Sequence, residues 1–400
     1  TAVFGIRNQA LYRSEPFCSA VVETARRMRR GVFLAEAGSR HFTYRPGEKV
    51  ELGAQALDWG TEPASLKVRF TVTERAGGRR LFASEQELSL KPGEAESVTC
   101  VWDPGAKAPE VCDAAVELVD GGRVVDRIAH EIGFLPAEKP ARDEFISVQG
   151  TDFMLKGKPW YANGINYWPL YVSGLEPGDY GRAWLSPAGY CPDEVERDLV
   201  RMEALGMNMV SIQLGDLSCA RNVVDFLRRC RRHGIYVNGF LGSASPIDFS
   251  EEGAAEFIRA ARLDENPTLW AYDIIWEPGN WMFERMRPRW DPDWEAWILE
   301  RYGSIADAEK DWGFAVPRKE GKVTSPSTQQ MREEGEWRVM VAAYRRFMDD
   351  LMSRKWNDAH RRLRAIDPNH LISFRQGNTL PQDFAFTATV KHIDFICPEG

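Results

Sequence analysis

Glu277 closes the run Leu269-Trp-Ala-Tyr-Asp-Ile-Ile-Trp276, and Pro278 and Gly279 follow it directly. The run is apolar, β-branched and aromatic, the pattern of a buried strand. A glutamate held at such a strand end, against Trp276 and out of bulk water, has its pKa raised, as a general acid requires. Spacing alone leaves a second reading equally open, in which Glu277 only pairs with a nearby arginine. Other chemistries find less support. The six histidines (His41, His130, His233, His360, His370, His392) lack the i, i+4 spacing of a helical metal site. His233 and His360 read as surface residues of helices, and His392 as a cap that could also reach a pocket. There is no Walker loop and no dinucleotide fingerprint, and Gly242-Ser-Ala-Ser-Pro246 lacks the glycines of a nucleophile elbow. No metal and no cofactor is expected.

A strand buried on both faces is what a parallel sheet with helical crossovers produces. In a (β/α)8 barrel the C-terminal strand ends face the pocket where chemistry is done. From about residue 145 the chain alternates strand and helix as such a sheet requires. Strand one is predicted over Trp160 to Asn166 and helix one over Asp193 to Leu205. Strand two is Asn208 to Leu214, followed by a helix from Asn222 to His233. Strand three is Tyr236 to Leu241, followed by a helix from Glu251 to Leu263. Strand four carries Glu277. A long helix, Glu336 to Ile366, leads to strand five, Leu371 to Arg375, and strand six is Ile393 to Cys397. Between strand four and the long helix lies an insertion: Gly303 stops the helix of Trp294 and Trp297, and Ser304 with Asp307 resembles a capping box opening a helix that Gly313 ends. On the catalytic side of a barrel, such an excursion narrows the cleft and favours the end of a substrate chain.

Three segments carry a resemblance. Phe145-Ile-Ser-Val-Gln-Gly-Thr-Asp-Phe-Met-Leu-Lys-Gly-Lys-Pro-Trp-Tyr-Ala-Asn-Gly-Ile-Asn-Tyr-Trp-Pro169, the stretch Asn266 to Pro278, and Trp294 to Gly313 resemble the barrel entry, the fourth strand and a helical insertion of clan-A glycoside hydrolases. These are retaining enzymes on (β/α)8 barrels; the likeness spans roughly Phe145 to Gly400 and extends to β-galactosidase-, β-mannosidase- and cellulase-like members. The resemblance implies cleavage of β-glycosidic bonds with Glu277 as acid/base. Retaining glycosidases need two carboxyl groups about 5–5.5 Å apart. The clan's nucleophile ends strand seven. Glu399, at the end of strand six, is either that nucleophile or a residue lining the pocket, with the nucleophile past Gly400.

In the clan pattern an Asn precedes the acid/base and an Arg stands on strand two; here Trp276 and Ser211 occupy those places. These departures leave room for an unusual sugar, or for a catalytically silent carbohydrate-binding barrel. Asn163, Asn166, Gln213, Asn280 and Arg375 are the candidates for the missing polar contacts, although strand-end asparagines often only satisfy loop backbone. Twelve of the fourteen tryptophans follow residue 150. Sugar rings stack their C–H faces on aromatic rings, while most tryptophans serve a core. Trp276, Trp281 and one of Trp168 or Trp290 are taken as substrate contacts. A base for proton abstraction is a further option for Glu277, but no metal or Lys stands ready to assist it.

Residues 1–31 read as the tail of a preceding β region, with Arg26, Arg27, Arg29 and Arg30 on a solvated strand or turn face. Residues 32–136 carry short alternating runs (Lys49 to Leu52, Leu66 to Val72, Ser97 to Val101, Ala114 to Val119) separated by turn signals, which predicts an all-β immunoglobulin-like sandwich. That module reads as scaffold rather than sugar binder. Residues 137–144 are the linker and residues 145–400 the catalytic barrel, strands one to six. Both ends read as cut. The 44% hydrophobic content builds a large core, and no apolar run approaches a membrane span. The net charge of −8 argues against nucleic acid, which leaves carbohydrate as the expected partner and the oligomeric state open. Seven cysteines without a CxxC pair form neither a disulfide framework nor a zinc site, a mostly reduced set that leans cytoplasmic. The start at Thr1 leaves secretion open.

Overall fold

The computed structural model describes residues 9–105, 108–172, 183–276, 285–376 and 393–398. The chain divides into two compact units, Thr1–Lys139 and Pro140–Gly400.

Of residues 1–31 the first eight lie outside the described residues, and the reading of the rest is corrected: Glu15–Arg30 is a helix, α1. Pro16 in its first turn and Gly31 in the left-handed conformation at its end are ordinary helix boundaries. The clustered arginines in the last turn complement the helix dipole. They are not simply solvated either, since Arg27 reaches Asp126 at 2.7 Å. Beyond α1 lie eight strands. β1 (Val32–Ser39), β3 (Val50–Asp58) and β6 (Ala95–Trp102) form one antiparallel sheet. A five-stranded sheet runs in the order β2 (Thr43–Tyr44), β8 (Arg123–Phe134), β7 (Val111–Asp120), β4 (Ala64–Glu74), β5 (Arg80–Leu90). The alternation places Leu52 and Ala54 of one sheet and Val68, Phe70 and Val72 of the other in one shared core. Each such side chain contributes about 1.5–3 kcal/mol by burial. Asp120 and Arg123 pair across the β7–β8 turn, where Gly121 and Gly122 both take positive φ, the tight turn that glycine permits.

The second unit begins with an antiparallel meander, β9 (Ser147–Gln149), β10 (Asp152–Leu155) and β11 (Lys158–Trp160). A six-stranded parallel sheet then runs in chain order: β12 (Gly164–Asn166), β13 (Met209–Gln213), β14 (Tyr236–Phe240), β15 (Leu269–Trp276), β18 (Leu371–Gln376) and β19 (Phe395–Pro398). Crossover helices are α2 (Pro192–Ala204), α3 (Ala220–Arg232), α4 (Glu251–Ala261) and α8 (Arg338–Ile366). The insertion holds α5 (Asp291–Tyr302) and α6 (Ile305–Trp312), the short strands β16 (Arg318–Lys319) and β17 (Lys322–Val323), and α7 (Thr328–Arg332). Among the described residues the sheet is open, with β12 and β19 at its edges, and no closed eight-stranded barrel is seen.

One boundary differs from the expected one. Trp160 belongs to the meander, paired with Phe153, and the first parallel strand starts only at Gly164. That strand presses on its neighbour: a Cβ on Gly164 would lie 1.7 Å from the Met209 carbonyl oxygen, so only glycine fits. The meander plugs the N-terminal end of the sheet. Trp270 stacks on Phe395 with ring centres 4.8 Å apart and meets Phe153 at 5.1 Å and Trp160 at 5.2 Å. This apolar floor leaves the C-terminal end as the end for chemistry.

Candidate functional site

Strands β12 to β15 end in Asn166, Gln213, Phe240 and Trp276, and β18 carries Arg375 one residue before its end. Above the apolar floor these strands put polar side chains into the sheet's interior. Arg375 is 2% exposed and Asp273 is fully buried. Their side chains pair at 3.1 Å, Nη2 to Oδ2. The guanidinium also donates to Asn166 Oδ1 and to Ser211 Oγ. Asn238 Nδ2 donates to Asp273 Oδ2 at 2.9 Å, and Ser373 Oγ donates to Asp273 Oδ1. One connected layer therefore ties five adjacent strands together, and every carboxylate oxygen of Asp273 has a donor. A buried ion pair persists only with such additional hydrogen bonds.

Trp276 sits over this layer, with the Arg375 guanidinium carbon 3.9 Å from its ring centre. Phe240 meets the same ring edge-on, at 6.0 Å and 77°. The register explains how Trp276 comes to face inward. Asp273 pairs with Ser373, but Trp276 pairs with Arg375, so β15 uses three steps where β18 uses two. Strict alternation from the inward Asp273 would turn Ile275 in and Trp276 out. The extra residue reverses that parity, as β-bulges do beside functional sites.

Glu277, Glu399, Asn280 and Trp281, and also His392, lie outside the described residues. Asn166 and Trp276 meet at Arg375, and Ser211 lies against the same guanidinium. The planar fork of Arg375, expected among the polar substrate contacts, is engaged with Asn166, Ser211 and Asp273. Asn163 lies at the other end of its strand: its side chain donates to the Gly206 carbonyl at 3.1 Å and its amide to Asn208 Oδ1 at 2.7 Å. It therefore serves the loop entering β13 and not the cleft. Gln213 is half-buried at the end of β13. Of the two alternative tryptophans, Trp168 is 36% exposed just past β12 and Trp290 is 3% exposed. Lys355 and Arg289 lie over the Trp290 ring at 4.8 and 5.0 Å, so that Trp168 is the more accessible of the two. His360 is buried rather than a surface residue, 3.7 Å from Asp394.

Sequence reasoning missed Asp273, Asn238 and Ser373. The available signal was a polar residue in the middle of each of three buried runs, since a buried charge has to find partners. Among the described residues no group of His, Cys, Asp and Glu could hold a metal ion, and no helix is long and apolar enough to cross a membrane.

No protein-family profile matches the sequence, and no curated protein matches it. Similar solved structures include a Bacteroides uniformis β-glucuronidase covalently bound to cyclophellitol-6-carboxylate aziridine, with 14% identity, 92% of this chain and 36% of that one covered, and a TM-score of 0.33. A glycosyl hydrolase family 2 member from Bacteroides cellulosilyticus has 13% identity, 92% and 40% coverage, and a TM-score of 0.33. A Parabacteroides merdae β-glucuronidase has 10% identity, 92% and 35% coverage, and a TM-score of 0.29. The chain spans less than half the length of each of these glycosidases.

Proposed function

We propose that this chain belongs to a glycoside hydrolase that cleaves β-glycosidic bonds with retention and acts at chain ends, with Glu277 as general acid/base. One observation carries the reading. The polar layer of Asn166, Ser211, Asn238, Asp273, Ser373 and Arg375 opens toward the C-terminal strand ends under Trp276, and Glu277 is the next residue. Parallel βα sheets do their chemistry at that end. The clan-A resemblance of Asn266 to Pro278 supports the same assignment, and the insertion after strand four supports exo action. In this proposal the sheet is the first part of a (β/α)8 barrel, and the two-sheet unit, residues 32–136, is an immunoglobulin-like scaffold.

The chemistry follows the two-carboxylate scheme. The Glu277 carboxyl gives its proton to the glycosidic oxygen as the bond to the anomeric carbon breaks. A second carboxylate, Glu399 or one beyond Gly400, forms the ester to that carbon. Glu277, now ionised, takes a proton from water, whose oxygen displaces the carboxylate and releases the sugar. Trp276 offers the stacking face, and Gln213, Asn280, Trp168 and Trp281 are the candidate rim contacts. Glu277→Gln is expected to abolish turnover of alkyl β-glycosides while leaving the far-UV circular dichroism unchanged. Rates like those of the wild type would refute the assignment. A second reading, a carbohydrate-binding barrel without catalysis, draws on Trp276 and Ser211 standing where the clan carries Asn and Arg. It predicts sugar binding with no hydrolysis by the complete protein.

A further inference from the structure

Trp276 is constrained from two directions. The Arg375 guanidinium carbon lies over the ring face, 3.9 Å from its centre, and Phe240 meets the ring at 6.0 Å and 77°. Arg375 cannot drift, because Asp273, Ser211 and Asn166 hold its fork from three other strands. Trp276 nevertheless stays only half-buried. A planar guanidinium stacks on an indole in a way that an ammonium cannot, since the ammonium is a compact point charge. The bulge that turns Trp276 inward ends at the residue preceding Glu277.

We propose that Arg375 is a positioning residue, whose clamped guanidinium sets the plane of the Trp276 indole on which a sugar ring stacks beside Glu277. The role of that platform rests on the glycosidase reading, whereas the clamp itself stands on geometry alone. It acts through Trp276 and touches no substrate. Asp273 is the second member of the clamp, because its carboxylate fixes the direction of the fork.

The test uses the whole chain labelled with 5-fluorotryptophan, with Trp276→Phe identifying the Trp276 fluorine resonance. Arg375→Lys keeps the charge opposite Asp273 and so protects the fold, and Arg375→Met removes both charge and fork. The expected result is a displaced, broadened Trp276 resonance in Arg375→Lys, with the other tryptophan resonances unmoved. A purely structural role for Arg375 predicts the reverse, lower stability with the Trp276 resonance in place, and that result overturns the proposal. A panel of p-nitrophenyl β-glycosides supplies the second readout. On a substrate that the wild type hydrolyses, Arg375→Lys is expected to lower kcat/KM by roughly tenfold or more, carried mainly by KM, as for lost binding common to ground and transition states. An unmoved resonance rejects the clamp whatever the activity. A moved resonance supports the clamp whether or not the wild type hydrolyses any glycoside of the panel.

Discussion

The junction between the fourth and fifth strands holds a carboxylate whose contribution can be worked out. Asp367 ends α8, and its side chain is fully buried. Its Oδ2 accepts from the Tyr272 hydroxyl and from His370 Nδ1, each at 2.7 Å, and its Oδ1 accepts from the Asn369 amide at 2.9 Å. Tyr272 belongs to β15 and His370 immediately precedes β18, so this carboxylate anchors the register in which Asp273 faces Ser373. Burial alone would raise its pKa. The His370 charge, together with the hydrogen bonds from His370, Tyr272 and Asn369, outweighs burial and lowers it from 3.8 to about 2. A depressed carboxylate pKa gives stability that is present above the unfolded value and lost as pH falls through the folded one. From those two values the contribution is on the order of 2 kcal/mol near pH 5 and on the order of 1 kcal/mol near pH 3. Asp367→Asn keeps the shape and has no charge to titrate. Urea unfolding followed by tryptophan emission reports mainly on the second unit, because twelve of fourteen tryptophans follow residue 150. Wild type is expected to exceed the variant in stability near pH 5, with that gap narrowing by about 1 kcal/mol near pH 3. Taking the difference at each pH cancels the carboxylates that do not feel Asp367, leaving Asp264, whose pKa Asp367 helps to raise. A gap that stays constant, or widens on acidification, would refute the linkage argument.

Gly164→Ala places a methyl group against the Met209 carbonyl, 1.7 Å from its oxygen, so strand β12 has to move; overpacking of this kind costs about 1–3 kcal/mol, and an unchanged melting temperature would contradict the close approach. Ser304→Ala removes the cap of α6, in which Ser304 Oγ accepts from the Asp307 amide at 3.1 Å; denaturant unfolding should register a loss of about 1 kcal/mol, and no loss would mean the helix end is satisfied by water.

How far the sequence was readable follows from which forces act locally. Helices α2 and α4, and β13 to β15, lie within a few residues of their expected positions because Pro192, Gly206, Ser250 and Gly234 punctuate strong apolar periods. The Ser304 cap and the Gly313 terminus follow from the same short-range chemistry. Strand β1 went unassigned and α1 was taken for a β region, since α1 buries none of its residues and its less exposed face is partly arginine, leaving no apolar period to read. The site was legible only as strand ends. Which end of β12 Asn163 occupies depends on where the strand starts, and that is decided by the contact of Gly164 with Met209 in another strand. The inward turn of Trp276 depends on a bulge that exists only in the pairing of β15 with β18. Neither is encoded in a local period.

The Asp273–Arg375 pair is poorly explained as a device for stability. Taking two charges out of water costs several kcal/mol each, and well-packed apolar replacements of such pairs are often neutral or stabilising. An apolar layer at this level would have continued the floor of Trp270, Phe395 and Trp160 upward without difficulty. The polar layer instead supplies direction. A carboxylate with donors on both oxygens admits one orientation of the guanidinium, and a guanidinium so oriented presents one flat face. Trp276 lies on that face. An apolar layer would hold the indole by contact area, which tolerates rotation about the ring normal and sliding along it. The ion pair converts sheet register into ring orientation one residue ahead of Glu277. The desolvation it costs is therefore matched to a need for orientation at the mouth of the sheet, where packing alone leaves an aromatic ring free to turn.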